Sequence, residues 1–266
     1  MTAFAFPGLN LAVTTPFDPD GRVDLDGLEA HLERYIAAGV DGIVLSSGTG
    51  MHVYLSREES DALVARGAKI VAGRARVIVQ TSALLVEDVL DFYTAAAEGG
   101  LPIVGYNVPQ AVGVGISPAL LGELCAIPNF CTVKDSSGDL AAQADLIRTG
   151  LPVMNGADPL MPYALLAGAS GLIWGGANFA PRTCVALVRA AAERRWEDVR
   201  EIWRLLEPAM NLIWQGDYVQ SVYAAAEITG YAAGQPRRPL RALAADRLAP
   251  LRAALADLAR HEAAAS

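Results

Sequence analysis

The sequence predicts an α/β protein: a parallel (β/α) TIM-type barrel with seven recognisable strands and one βα unit missing, followed by a C-terminal helical appendage. Three observations predict it. Short β-branched runs alternate with longer amphipathic stretches along most of the chain, the pattern of a parallel sheet. Several runs are apolar throughout, as strands covered on both faces require. The first run is followed by Thr14-Thr15-Pro16-Phe17, which is not the Gly-rich phosphate loop of an open doubly wound sheet, and the even spacing favours a barrel.

The expected strands are Leu9–Thr15, Gly42–Ser46, Arg76–Gln80, Ile103–Asn107, Cys131–Lys134, Val153–Gly156 and Gly171–Gly175. Between them the apolar period changes to that of helices over Leu25–Ala38, Arg57–Val71, Val86–Glu98, Pro118–Ala126, Leu140–Arg148, Leu160–Ala167 and Pro181–Arg194. Ser56 with Glu59 has capping-box spacing, and Ser117-Pro118 places a cap before a proline at the first helical position. Gly39, Gly73, Gly99 and Gly168 mark helix ends. A closed parallel barrel usually has about eight strands, so either one strand is hidden or a unit is absent. Beyond Trp196 the pattern is helical only. The expected organisation is therefore a barrel over 1–196 and a helical extension over 197–266.

Composition narrows the function classes. The 266 residues are 53% hydrophobic with a net charge of −8, enough apolar material for one large core. No basic cluster points to nucleic acid. No run reaches the ~20 apolar residues of a membrane span, and the first residues lack the basic start of a secretory signal. Cys125, Cys131 and Cys184 form neither a disulfide framework nor a metal-ligand spacing, and His31, His52 and His261 are scattered. The expectation is a cytoplasmic protein with no metal, no organic cofactor, no nucleic acid and no membrane partner.

Of 21 basic residues only Lys69 and Lys134 are lysines. Lys69 lies on an amphipathic helix and reads as a solvated charge. Lys134 ends the apolar run Phe130-Cys-Thr-Val-Lys134, at the strand end that carries the active site in a barrel. Apolar walls lower a lysine's pKa, and a neutral amine can attack a ketone. The competing reading is an ion pair with a neighbouring carboxylate such as Asp135. Tyr106, in Ile103-Val-Gly-Tyr-Asn-Val-Pro109, also closes a strand; it is a candidate proton relay, or a core tyrosine with a satisfied hydroxyl. Ser46-Ser-Gly-Thr-Gly50 could present backbone amides to an anion, or be an ordinary βα turn.

Together these segments resemble the family of dihydrodipicolinate synthase and N-acetylneuraminate lyase, Schiff-base aldolases and dehydratases on eight-stranded barrels. The resemblance runs from about Gly8 to Arg194, one barrel's length, with the tail compatible to its end. Tyr106-Asn-Val-Pro109 and Val133-Lys-Asp-Ser-Ser-Gly138 are its specific part; Thr14-Thr-Pro-Phe17, Ser47-Gly-Thr-Gly50, Asn155-Gly156 and Gly175-Gly-Ala-Asn178 support it. It implies that Lys134 forms the Schiff base and Tyr106 moves protons. It implies that Gly48, Thr49, Gly50 and Gly175 bind a small 2-oxo acid such as pyruvate, the loop amides holding its carboxylate. It implies a homo-oligomer, dimer or tetramer.

Four departures accompany it. Gly48 replaces the first threonine of the family loop, in a form reminiscent of the ketodeoxyglucarate dehydratases. Met51-His52 replaces the usual Glu-Ser. Gln110-Ala111 stands where the synthase has an arginine for its second substrate. About 28 residues, roughly one βα unit, are missing after Thr81-Ser82-Ala83. The expected reaction is aldol cleavage or condensation, or dehydration of a keto-deoxy sugar acid. The rival is a non-catalytic or degenerate barrel that binds a small acid.

Overall fold

A computed structural model of the chain describes residues 6–80 and 89–264. In chain order its elements are β1 (Leu9–Ala12), α1 (Leu28–Ala38), β2 (Gly42–Leu45), α2 (Arg57–Val71), β3 (Arg76–Val79), α3 (Val89–Ala97), β4 (Ile103–Asn107), α4 (Pro109–Val112), α5 (Pro118–Cys125), β5 (Phe130–Asp135), α6 (Leu140–Arg148), β6 (Val153–Asn155), α7 (Met161–Ala167), β7 (Gly171–Trp174), α8 (Pro181–Ala192), α9 (Trp196–Trp214), α10 (Tyr218–Ile228) and α11 (Ala245–Ala264). All seven expected strands are present among the described residues. The expected break after Thr81-Ser82-Ala83 falls on residues 81–88, outside those described.

The chain divides into two compact units, Leu9–Thr81 with Trp174–Ser266, and Met1–Gly8 with Ser82–Ile173. In the first, β1, β2 and β3 pair in parallel, Leu11 beside Ile43 and Ile43 beside Val77. β1 and β2 are buried at every residue. β3 alternates, leaving Val77 and Val79 exposed. The capping box on α2 is complete: the Glu59 N–H donates to Ser56 Oγ and the Ser56 N–H donates to Glu59 Oε2. Strand β1 is shorter than expected. Thr14 has the β-branched look of a strand residue, but its N–H donates to the Asn178 side chain, which takes the backbone out of the ladder.

The C-terminal helices belong to this unit. Glu262 of α11 is buried; it accepts the backbone N–H groups of Arg182 and Thr183 at the start of α8, together with the Thr183 and Tyr231 hydroxyls. A carboxylate there satisfies the otherwise open amides of a helix N-terminus. Arg237 reaches Glu59, Tyr54 O and Gly21 O, and draws the Glu59 carboxyl down to about 2 through those hydrogen bonds.

In the second unit β4, β5, β6 and β7 pair in parallel. Leu121, Leu124, Phe130, Val133, Leu146 and Val153 form its core. Ser117 caps α5 by accepting from the Leu120 N–H, with Pro118 at the first turn. Strand β5 is one residue longer at each end than the sequence suggests. Asp135 remains in the strand because its carboxylate is fully partnered, as described below.

Candidate active site

Strands β4 and β5 fix the central pair. Their register sets Tyr106 beside Lys134 and Asn107 beside Asp135. Paired residues of adjacent strands face the same way, and successive residues face opposite ways. One face therefore carries Tyr106 and Lys134, and the other carries Asn107 and Asp135. The interval of 28 residues between Asn107 and Asp135, shared by Tyr106 and Lys134, is the repeat from one strand to the next.

On the first face the Lys134 Nζ stands over the Tyr106 ring, 4.4 Å from its centroid. Lys134 is half-buried, and Tyr106 is 39% exposed. No carboxylate among the described residues lies within ion-pairing distance of the Lys134 amine. The sequence left an ion pair with Asp135 open, and the geometry explains why it does not form. Asp135 is buried, and its carboxylate accepts from Asn107 Nδ2 at 2.6 Å, Ser137 Oγ at 2.9 Å and Gln143 Nε2 at 3.0 Å. Gln143 also donates to Asn155 Oδ1, so one amide ties β5 to β6.

Asn155 then shapes the turn that borders the lysine. Its side chain accepts the Ala157 N–H and donates to the Ala157 carbonyl, while the Gly156 N–H donates to the Asp135 carbonyl at 2.7 Å. The Cα of Gly156 lies against the lysine stem. A Cβ there would be 2.2 Å from both Lys134 Cε and Ser136 Oγ, so only glycine leaves room. The Ser136 hydroxyl is buried without a hydrogen-bond partner among the described residues. Gln110 Nε2 donates to the Ser136 carbonyl at 2.7 Å, and with Ala111 beside it this segment offers no cation.

The loop after β2 lies in the other unit. Both flanking residues, Ser46 and Met51, hold left-handed backbone at φ 51° and 63°, a conformation uncommon outside glycine that costs energy and marks an over-determined turn. Within it the Gly48 N–H donates to Gln80 Oε1 at 3.0 Å, the Gly50 N–H donates to Ser47 Oγ at 3.3 Å, and Thr15 Oγ1 donates to the Gly50 carbonyl at 2.7 Å. Two of the three amides expected to hold a carboxylate are thus engaged within the protein; the N–H and hydroxyl of Thr49 carry no such bond among the described residues. His52 Nε2 lies 3.4 Å from Gln80 Nε2, and burial lowers the imidazole pKa, so His52 buttresses the glutamine that holds the loop. Gly175 follows β7; a Cβ on it would meet Tyr218 Oη at 2.2 Å and Thr49 Oγ1 at 2.7 Å.

The residues expected from the sequence thus fall in two places, Lys134 with Tyr106 and Gly48–Gly50 with Gly175. Sequence reasoning did not single out Gly156 or Ser136 as site residues, although Asn155-Gly156 at a strand end and the serine two positions after Lys134 were both in view. Among the described residues no cluster of His, Cys, Asp or Glu could hold a metal ion, and no helix is long and apolar enough to cross a membrane.

Comparison with known proteins accords with this geometry. The model of the dihydrodipicolinate synthetase family matches residues 5–91 and 84–258. The match comes in two pieces that meet at 84–91, where the sequence lacks its expected unit. The 4-hydroxy-tetrahydrodipicolinate synthase of Methanospirillum hungatei is 31% identical over 271 aligned positions, covering 88% of this chain and 93% of that protein. The alignment is longer than the chain itself, so the relative has residues this chain lacks. The chloride-inhibited dihydrodipicolinate synthase of Acinetobacter baumannii, solved in complex with pyruvate, superposes with a TM-score of 0.87 at 26% identity over 95% of this chain and 98% of that one. The 4-hydroxy-tetrahydrodipicolinate synthase of Methylacidiphilum fumariolicum gives 0.88 at 25% identity over 97% of each chain. With the family model matched along nearly its whole length, the chain belongs to the dihydrodipicolinate synthetase family, a family of lyases on parallel β/α barrels.

Proposed function

We propose that the protein is a lyase whose Lys134 condenses with the ketone of a small 2-oxo acid, pyruvate first among them. The observation that carries the reading is the Lys134 amine over the Tyr106 ring, without an ion-pair partner among the described residues and with its acidic neighbour occupied elsewhere. Once the amine has lost its proton, its lone pair attacks the carbonyl carbon. The C–N bond forms, the carbonyl oxygen is protonated and leaves as water, and the protonated imine draws electrons from the neighbouring carbons. Tyr106 moves the protons in these steps. The Ser136 hydroxyl, buried beside the lysine stem without a hydrogen-bond partner among the described residues, is available to a bound hydroxyl or carbonyl.

The substrate carboxylate is assigned to the loop after β2, at Gly48, Thr49 and Gly50 with Gly175, and chiefly to Thr49. Aldol cleavage or condensation and dehydration of a keto-deoxy sugar acid share the opening imine. Gln110-Ala111 supplies no cation for a second carboxylate, which favours a substrate other than that of the relatives' synthase reaction. The proposal retains a barrel over 1–196 with its helical extension, a homo-oligomer and a cytoplasmic location. The test is borohydride treatment with a panel of 2-oxo acids. Irreversible modification that depends on the acid supports the reading and ranks the substrates; no modification with any of them rejects it.

A further inference from the structure

We propose that Tyr93, on α3, is a positioning residue: its hydroxyl accepts the backbone N–H of Tyr106 and so holds the Tyr106 phenol in place beneath the Lys134 amine. The inference rests on the reading that Lys134 and Tyr106 perform the chemistry, and every residue in it belongs to one compact unit. It begins with the direction of the backbone groups in β4. Along a strand, successive residues point their N–H and C=O groups to opposite edges. Ile103 donates its N–H to the Asn129 carbonyl at 2.8 Å, and the Asn107 carbonyl accepts from the Ser136 N–H at 2.8 Å. Ile103 and Asn107 thus turn their backbone toward β5, and Tyr106 turns the other way. Among the described residues β4 has no strand on that side. The Tyr93 hydroxyl stands there, accepting from the Tyr106 N–H at 3.1 Å, where a neighbouring strand would offer a carbonyl.

The second support is the seating of the Tyr93 ring. It meets the Phe130 ring edge-on, with centroids 5.2 Å apart and planes at 88°, and packs against the core of its unit. The register between β4 and β5 shifts between Ile103 and Val104, and such an irregularity re-aims a side chain; here it puts Phe130 on the face of Gly105. Gly105 makes the space. A Cβ on it would stand 2.6 Å from Phe130 Cζ and 3.6 Å from Tyr93 Oη, so a side chain there would displace the ring that supports Tyr93. Burial raises the Tyr93 pKa, with the Tyr106 hydrogen bond opposing it. The phenol therefore stays neutral, and a neutral phenol accepts through its oxygen while keeping its own hydrogen. A phenylalanine would fill the same space but leave the Tyr106 N–H without this acceptor.

The test compares the full chain with Tyr93→Phe, Tyr106→Phe and the double variant. It measures the single-turnover borohydride trapping rate at saturating pyruvate and the pyruvate concentration that gives half that rate. The expected result for Tyr93→Phe is a rate about tenfold lower, since displacing a proton-transferring group slows its step, with the half-rate concentration unchanged. In the Tyr106→Phe background the same substitution should cause no further fall, because its effect passes through a phenol already removed. An equal fall in both backgrounds is what a merely structural loss gives, and it overturns the proposal, as does an unchanged rate in Tyr93→Phe. Exchange of the Tyr106 amide hydrogen reads the contact without the chemistry. It should quicken about fivefold to tenfold in Tyr93→Phe, and an unchanged exchange rate also overturns the proposal. Quickened exchange in a protein whose unsubstituted form gives no pyruvate adduct rejects the Schiff-base reading instead, and the role of Tyr93 in that chemistry with it.

Discussion

Lys134 and Asp135 are neighbours in the chain, yet the two faces of β5 treat their polar groups oppositely. On Asp135's face both carboxylate oxygens have partners, supplied by Asn107, Ser137 and Gln143. On Lys134's face the amine meets an aromatic ring, and the Ser136 hydroxyl beside its stem is buried without a partner among the described residues. Unpartnered buried polar groups are costly, so a protein tolerates them where a ligand will meet them or where strain serves function. The Asp135 face does the complementary work. It joins β4, β5 and β6 by side-chain bonds in a register that leaves Tyr106 opposite Lys134. Asp135 protects the lysine's freedom by being occupied elsewhere.

Substitutions on the two faces should therefore separate activity from stability. The largest loss of activity after removal of the lysine itself is expected from Gly156→Ala. Its new methyl would sit 2.2 Å from the lysine stem, and a displacement of about 1 Å in a reacting group can cost about a hundredfold in rate. Single-turnover trapping rates, with melting as the control, measure it. A wild-type trapping rate would mean that the lysine does not need its present path. Asp135→Asn acts on the opposite face. It turns an amide N–H toward a donor already in place and should cost about 3 kcal/mol of stability by urea denaturation, while the pyruvate adduct still forms. Loss of the adduct in protein that remains folded would show that the carboxylate acts on the amine directly, and the contrast between the faces would fall.

A smaller effect comes from the other unit. His31 is buried, with Nδ1 accepting from Arg34 and Nε2 beside the Thr14 carbonyl. Burial first, then the Arg34 charge, lowers its pKa from 6.5 to about 3. The unfolded chain therefore binds the proton more readily between those values. Stability should fall as pH drops below 6.5, by at most about 1.4 kcal/mol per pH unit from this group, and be insensitive to it above. Urea midpoints from pH 7.5 to pH 5 give the slope. Persistence of the same slope in His31→Gln would assign it to other groups, with His52, also lowered by burial, the first to test.

The sequence made the architecture legible because burial on both faces leaves its mark as unbroken β-branched runs; all seven expected strands recur. It misjudged ends where side chains capture backbone groups, as Asn178 does at Thr14. Lys134 and Tyr106 were legible because each closes such a run, in motifs 28 residues apart. Gly156 was not, since its meaning lies in a close approach between segments distant in sequence. The occupied amides of Gly48 and Gly50 were equally hidden: Gln80, some thirty residues further on, takes one of them.

The presence of only two lysines makes the central claim directly testable. The protein is reduced with borohydride in the presence of pyruvate, digested, and mapped by mass spectrometry, with Lys134→Ala as the blank. The expected result is a reduced pyruvate adduct on Lys134, none on the exposed Lys69, and none in the variant. An adduct on Lys69 alone, or equal labelling of folded Lys134→Ala, would contradict it.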